Sequence, residues 1–153
     1  MKRLLVSAPI LGLALMAGSA QAADSAKAPS VALHGKTFST ELALDNASRE
    51  HGLMDRTTLA ADHSMLFVFP HSEPRYFWMK NTLIPLDILY FDKDRRLLSI
   101  SAKAQPCKAD PCKVYASHGS AQYVLELGGG VAKQAGIQVG DELTIDGDVS
   151  GTR

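Results

Sequence analysis

An excess of charge of either sign is missing. Sixteen Lys and Arg face sixteen Asp and Glu in the 153-residue chain, which is neutral when its five histidines are uncharged. A chain that wraps nucleic acid needs a basic surplus on one face, and a disordered acidic or basic tail needs a one-sided excess; this composition excludes both classes. The basic residues Lys93, Arg95, Arg96, Lys103, Lys108 and Lys113 are scattered and form no stripe. No apolar run reaches the roughly 20 residues a membrane-spanning helix requires. The two cysteines are too few for a structural zinc site, and their four-residue spacer is not C-x-x-C. The nucleophile elbow G-x-S-x-G and the phosphate-cradling G-x-G-x-x-G are also missing. Met54, Met65 and Met79 lie in apolar strings where methionine is ordinary filling, and the histidines have no paired spacing. No cofactor and no metal are therefore expected.

What is present begins with an address. Met1-Lys2-Arg3 is a short positive start, 4–17 is mostly apolar, and Ala20-Gln21-Ala22 is a small-x-small cleavage pattern. This order predicts a secretory signal peptide over 1–22, cut after Ala22. An uncleaved anchor is disfavoured because the apolar run, about 14 residues, is too short to span a bilayer. Loss of Lys2 and Arg3 leaves 14 basic against 16 acidic residues. The expected destination is the periplasm or the exterior. Cys107 and Cys112, set in Pro106-Cys107-Lys108-Ala109-Asp110-Pro111-Cys112, fit an oxidising compartment. A bridge closing so small a ring contributes about 2 kcal/mol by chain entropy. It reads as a staple of one turn-rich loop, with a redox pair as the alternative.

The rest divides into a flexible linker at 23–32, one β domain at 33–147 and a loose tail at 148–153. Alternation predicts strands at 37–44, 65–69 (stopped by Pro70), 75–80, 86–91, 96–101, 121–127 and 142–145. Short helices are predicted from Asn46 to about Gly52 and over 131–135, the second entered from Gly128-Gly129-Gly130 and closed by Gly136. Many short strands with one or two short helices predict a mostly β, compact single-domain sandwich or barrel.

Several ordered strings carry a resemblance. They are His51-Gly52-Leu53-Met54-Asp55-Arg56, Met65-Leu66-Phe67-Val68-Phe69, and Phe77-Trp78-Met79-Lys80-Asn81-Thr82-x-x-Pro85-Leu86-Asp87-Ile88. Val124-Leu125-Glu126-Leu127 with its glycine turn and Gly136-Ile137-x-x-Gly140-Asp141 follow. Over about 33–146 the chain resembles the family named domain of unknown function 192, departing from it at Ser64, where the family has Gly. The resemblance implies a mostly β, often exported domain, and brings no established catalytic residue and no cofactor.

Within this stretch Asp87 carries the most information. Alternation in 86–91 puts Asp87 with Leu89 and Phe91, and Leu86 with Ile88 and Tyr90, so both faces are apolar and the carboxylate is expected to be buried. A buried carboxylate needs a cation or several donors. Arg56 and Lys80 are the first candidates and Arg49 the next, and the group is either a structural pair, a turn cap or a ligand-orienting acid. Trp78 and Lys80 share one strand face, Phe77 and Met79 the other. These residues predict a groove framed by Met54, Arg56, Trp78, Lys80, Asn81 and Asp87, because an aromatic, an amide and charges together suit small or extended ligands. The expected function is an exported binding module without catalysis, its partner an unknown small molecule or envelope component. A periplasmic hydrolase using Asp87 or Glu126 as acid or base, with His51 or His63 assisting, is the alternative. It requires two titratable groups to converge in an open cleft. A structural or interaction protein is the third reading and requires an exposed apolar patch or an open sheet edge.

Overall fold

Seven strands and two short helices follow from these patterns in the computed structural model, which describes residues 28–153. The expected signal peptide and the first half of the expected linker lie outside the described residues. The strands are β1 (Ser30–Leu33), β2 (Lys36–Ala43), β3 (His63–Trp78), β4 (Leu86–Phe91), β5 (Leu97–Ala104), β6 (Val114–Gly128) and β7 (Thr144–Asp146). Helix α1 (Asn46–His51) lies between β2 and β3, and α2 (Val131–Ala135) between β6 and β7. All strands join one sheet in the order β5-β4-β6-β3-β2-β1-β7, curled into a half-barrel. Only β2 and β3 pair in parallel, and the crossover such a pair needs is the segment that carries α1.

Alternation sorts the sheet into two cores, one on each face. Leu66, Leu89, Phe91, Leu125 and Leu127 pack with Val31, Phe38, Ala132 and Leu143 on one face. Phe67, Ile88, Tyr90 and Val124 pack with Leu53, Met79 and Ala104 on the other. Every residue of β4 is buried, as a strand covered on both faces must be.

Three expectations change at this level. The segments 65–69 and 75–80 are one strand, β3, because β6 runs alongside both; Pro70 falls where the register with β6 shifts between Val68 and Glu73, so its missing N–H breaks no ladder bond. The tail is held rather than loose: Val149 packs against the first core, and the Arg153 N–H donates to the Leu44 carbonyl at 3.0 Å. The linker ends earlier than expected, since Ser30 already pairs with Ser39 and Asp146. Helix α1 starts at Asn46 as expected and is capped by Asp45, which forms a reciprocal capping box with Ser48.

Asp87 is fully buried, and its charge partner is not a cation. One oxygen, Oδ1, accepts the Lys103 N–H of β5 at 2.8 Å. The other, Oδ2, accepts the Gly130 and Ala132 N–H groups at the entrance of α2, at 2.8 and 2.9 Å. The glycines before α2 make this possible. A Cβ on Gly129 would meet the Pro85 carbonyl oxygen at 3.0 Å, and Gly130 adopts φ +98°. Arg56 instead pairs with Glu41 and Lys80 with Asp110. Substituting Asp87→Asn turns one acceptor into a donor facing an N–H group and is expected to destabilise the fold by about 2–4 kcal/mol in urea denaturation. Arg56→Ala should add to it without coupling, so a double-mutant cycle between positions 56 and 87 should read within about 0.5 kcal/mol of zero.

Candidate functional site

A mismatch in strand length opens the most prominent concavity. Strand β2 pairs with β3 only from His63 to Phe67, while β6 follows β3 out to Trp78. Beyond Phe67 no strand covers β3 on the β2 side. Between this distal arm and α1 lies a cleft of about 590 Å³, walled by Arg49, Glu50 and Met54 on one side and Phe69, Tyr76, Phe77 and Trp78 on the other. Tyr76 is 69 % and Trp78 53 % exposed, and Val114, opposite Trp78 in β6, is 56 % exposed.

The walls are fixed by directional contacts. Phe77 meets Phe67, Phe69 and Tyr90 edge-on, with centroids 5.1, 6.4 and 5.9 Å away. The Arg75 guanidinium lies 3.8 Å over the Phe69 ring and also donates to the Ala121 carbonyl. Arg49 anchors α1: it donates to the Leu44 carbonyl at 2.8 Å and the Val68 carbonyl at 2.7 Å, and to the carbonyl of Arg153. It also donates to Asn46 Oδ1 at 2.8 Å, so both terminal nitrogens are engaged within the protein.

The cleft adjoins a recess of about 40 Å³ that shares the Arg49, Glu50, Met54, Phe77 and Trp78 wall and is also lined by Thr82 and Glu126. Glu126 faces the second core between Met65 and Ile88 of the flanking strands. It is 4 % exposed, and among the described residues its carboxyl has no hydrogen-bond or ion-pair partner. Its oxygens are not sealed; they border the recess. Burial with no compensating donor pushes its pKa up to about 8, so the neutral acid predominates at pH 7. The Thr82 hydroxyl is likewise without a hydrogen bond among the described residues.

The six residues expected to frame a groove separate. Met54 and Trp78 line the cleft. Asp87 is sealed on the opposite face of the sheet, where it pairs with backbone. Lys80 is turned to Asp110. Asn81, at φ +54°, is a backbone corner whose N–H donates to the Cys107 carbonyl and whose carbonyl accepts from Asp55. Arg56 lies over β2, where Glu41 accepts from it and from His63 Nε2 at 2.8 Å; these two partners, Arg56 first, hold the Glu41 carboxyl below the usual range. The Ser39 hydroxyl sits 2.7 Å from His63 Nδ1. This Ser39–His63–Glu41 chain lies along the β2–β3 pairing, next to the shallow concavity lined by Phe38 and Asp62. Of the histidines weighed for the hydrolase reading, only His51 reaches the recess that holds Glu126. The disulfide Cys107–Cys112 is formed, and the loop it closes docks on Met79 and Asn81 through backbone bonds. Among the described residues no group of three His, Cys, Asp or Glu gathers at metal-binding distance, and no helix is long and apolar enough to cross a membrane.

Sequence reasoning missed Arg49, Glu50, Phe69, Tyr76 and Phe77 as cleft residues. The usable signal was Tyr76-x-Trp78, two large aromatics on the face opposite Phe77 and Met79.

The family model of DUF192, described as "Uncharacterized ACR", matches residues 30–145. The chain belongs to this family. Two solved structures share its fold and a third of its residues. A Novosphingobium aromaticivorans protein of unknown function is 33 % identical, with a TM-score of 0.71, covering 83 % of this chain and 99 % of its own. A Sinorhizobium meliloti protein called "a putative transcription regulator" is 37 % identical, with a TM-score of 0.70, covering 80 % of this chain and 98 % of its own. No curated protein matches. DUF192 membership thus brings no chemistry to the cleft.

The raised Glu126 pKa has a thermodynamic consequence. The folded chain holds its proton more tightly than the unfolded chain, whose carboxyl titrates near 4.5. Stability from this group is therefore full below about pH 4.5 and falls as pH rises toward about 8, by at most about 1.4 kcal/mol per unit. Glu126→Gln should flatten that slope, as read from urea midpoints at pH 5, 6, 7 and 8.

Proposed function

We propose that this DUF192 protein is an exported envelope module that binds a small or extended ligand in the cleft between α1 and the distal arm of β3, without catalysis. The single observation carrying this reading is the combination of a 590 Å³ cleft with two exposed aromatics, Tyr76 and Trp78, on either side in sequence of Phe77, which the Phe67, Phe69 and Tyr90 rings hold edge-on. Large rings left in water on a supported wall supply contact area at small ordering cost when a ligand covers them. The uncovered side of β3 also suits an extended ligand lying along the strand. Support for export comes from the three-part leader at 1–22 and from a disulfide in an otherwise cysteine-free chain.

Nucleic acid fits this site poorly, whatever the Sinorhizobium relative is called. The guanidinium of Arg49 is occupied by carbonyls, and Glu50 and Glu126 place carboxyl groups where a phosphate would come. A hydrolase would need a second titrating group hydrogen-bonded to Glu126, and among the described residues none is.

The test is native mass spectrometry of protein purified from its own periplasm. A co-purifying molecule is expected with the unmodified protein and should be lost, or reduced at least about tenfold, in Trp78→Ala, because removing one aromatic anchor of a site has that order of effect. Arg56→Ala, on the other side of the site, should retain it. Retention by Trp78→Ala and loss by Arg56→Ala would move the site to the β2 surface and end this reading.

A further inference from the structure

Two of the buried polar side chains lining the recess have no hydrogen-bond partner among the described residues. Glu126 is 96 % buried with a free carboxyl, and Thr82, 95 % buried, offers a free hydroxyl beside it. Buried polar groups are ordinarily satisfied within the protein, so an unpaired carboxyl that opens onto a cavity is matched to something that enters it. The recess is narrow, about 40 Å³, and its approach is walled by Met54, Phe77 and Trp78.

We infer that the recess is a specificity pocket for a primary ammonium group on a short apolar stem, bound between the Glu126 carboxylate and the Thr82 hydroxyl. This inference rests on the cleft being the ligand site and names the chemistry of its ligand. Three features select that chemistry. The buried side-chain acceptors lining the recess are the two Glu126 oxygens and the Thr82 hydroxyl, and an ammonium is a compact cation with three donors. A guanidinium is planar, five-donor and larger, and does not match so small a space. The approach is apolar and aromatic, so it accommodates a hydrocarbon stem and favours a cation near ring faces. Anions are disfavoured by Glu126 and Glu50, and a neutral head leaves the carboxyl without its charge partner.

Binding is coupled to a proton. The free protein holds Glu126 as the neutral acid at pH 7, its pKa being raised to about 8 by burial. Seating an alkylammonium favours the carboxylate, so the complex forms with release of the Glu126 proton to solvent, and the ammonium keeps its own. Affinity should accordingly rise with pH up to about 8 and level off above it. Other charged or titratable groups surround Glu126. Arg49, Glu50 and His51 of α1 border the recess, Tyr90 of β4 shares its face, and Glu41 of β2 lies one strand beyond Met65, paired with Arg56 and His63. His51 is the one imidazole bordering the recess among the described residues, so a His51→Gln background isolates Glu126.

The experiment uses n-pentylammonium against 1-pentanol, which has the same stem and a neutral head, followed by the fluorescence of Trp78, the only tryptophan. At pH 8 the amine should bind at least about tenfold more tightly than the alcohol, and Glu126→Gln should abolish that preference. The preference should shrink at pH 6 in both the unmodified and the His51→Gln protein. A lysyl tripeptide, Ala-Lys-Ala, against its norleucine counterpart tells whether the ammonium comes from a free amine or a peptide side chain. Equal binding of amine and alcohol, or a preference that survives Glu126→Gln, overturns the ammonium assignment and leaves the cleft reading standing. No response of Trp78 to any of the probes overturns both. Because glutamine preserves shape and removes only the ionisable group, loss of folding is not expected; Thr82→Val, which should lower amine affinity alone, provides the second reading.

Discussion

The carboxylate of Asp87 is the contact on which this fold closes. It gathers one N–H from β5 and two from the entrance of α2, joining three elements that are distant in sequence at a point with no access to water. Each donor would otherwise be a buried orphan, since the first N–H groups of a helix have no partner within it. The requirement fixes the residues around it. The glycines at 129 and 130 let the chain come against Pro85 and turn left-handed before α2, and Lys103 adopts φ +49° as its N–H meets the carboxylate. A guanidinium would neutralise the same charge, but it could not satisfy these backbone groups, and that is why the cation expected from sequence is not there.

A second buried carboxyl lies close by and has the opposite character. Asp87 pairs with Leu127 and Glu126 with Ile88 across the same pair of strands, so successive positions point to opposite faces of the sheet. Toward one face the acid is saturated with donors and structural. Toward the other it has none, and borders a cavity. The sheet therefore separates a sealed structural charge from an open acid by the thickness of one backbone, and the cleft is confined to the α1 face because only there does β2 stop short of β3.

What the chain reveals in advance follows from which forces are local. Alternation is a local property, so the fully buried β4, the two-faced packing of Asp87, the hairpin to β5 and the short helices were all legible. The spacing of Cys107 and Cys112 likewise announced a closed loop. The continuity of β3 through Pro70 was not legible, because it depends on β6, more than forty residues later, running beside both halves. The groove failed for the same reason. Arg56, Lys80 and Asn81 are neighbours of Trp78 in sequence or pattern, but their partners, Glu41, Asp110 and Cys107, come from other parts of the chain and turn them away. Met54 and Trp78 survived because each projects from a segment bordering the gap that β2 leaves.

The unpaired state of Glu126 is the feature hardest to explain as architecture. A leucine or methionine between Met65 and Ile88 would pack the second core without desolvating a carboxyl, and burying such a group without a partner lowers stability throughout the neutral range. Ala43, Leu53, Phe67, Leu86, Ile88, Tyr90 and Val124 fill the core on that face. The molecule does have the means to satisfy a buried acid, as Asp87 demonstrates one residue position away, and at Glu126 it supplies none of the donors that would do so. A structural role requires partners within the fold. With none present, the balance of forces places the missing partner outside it, in whatever enters the cleft.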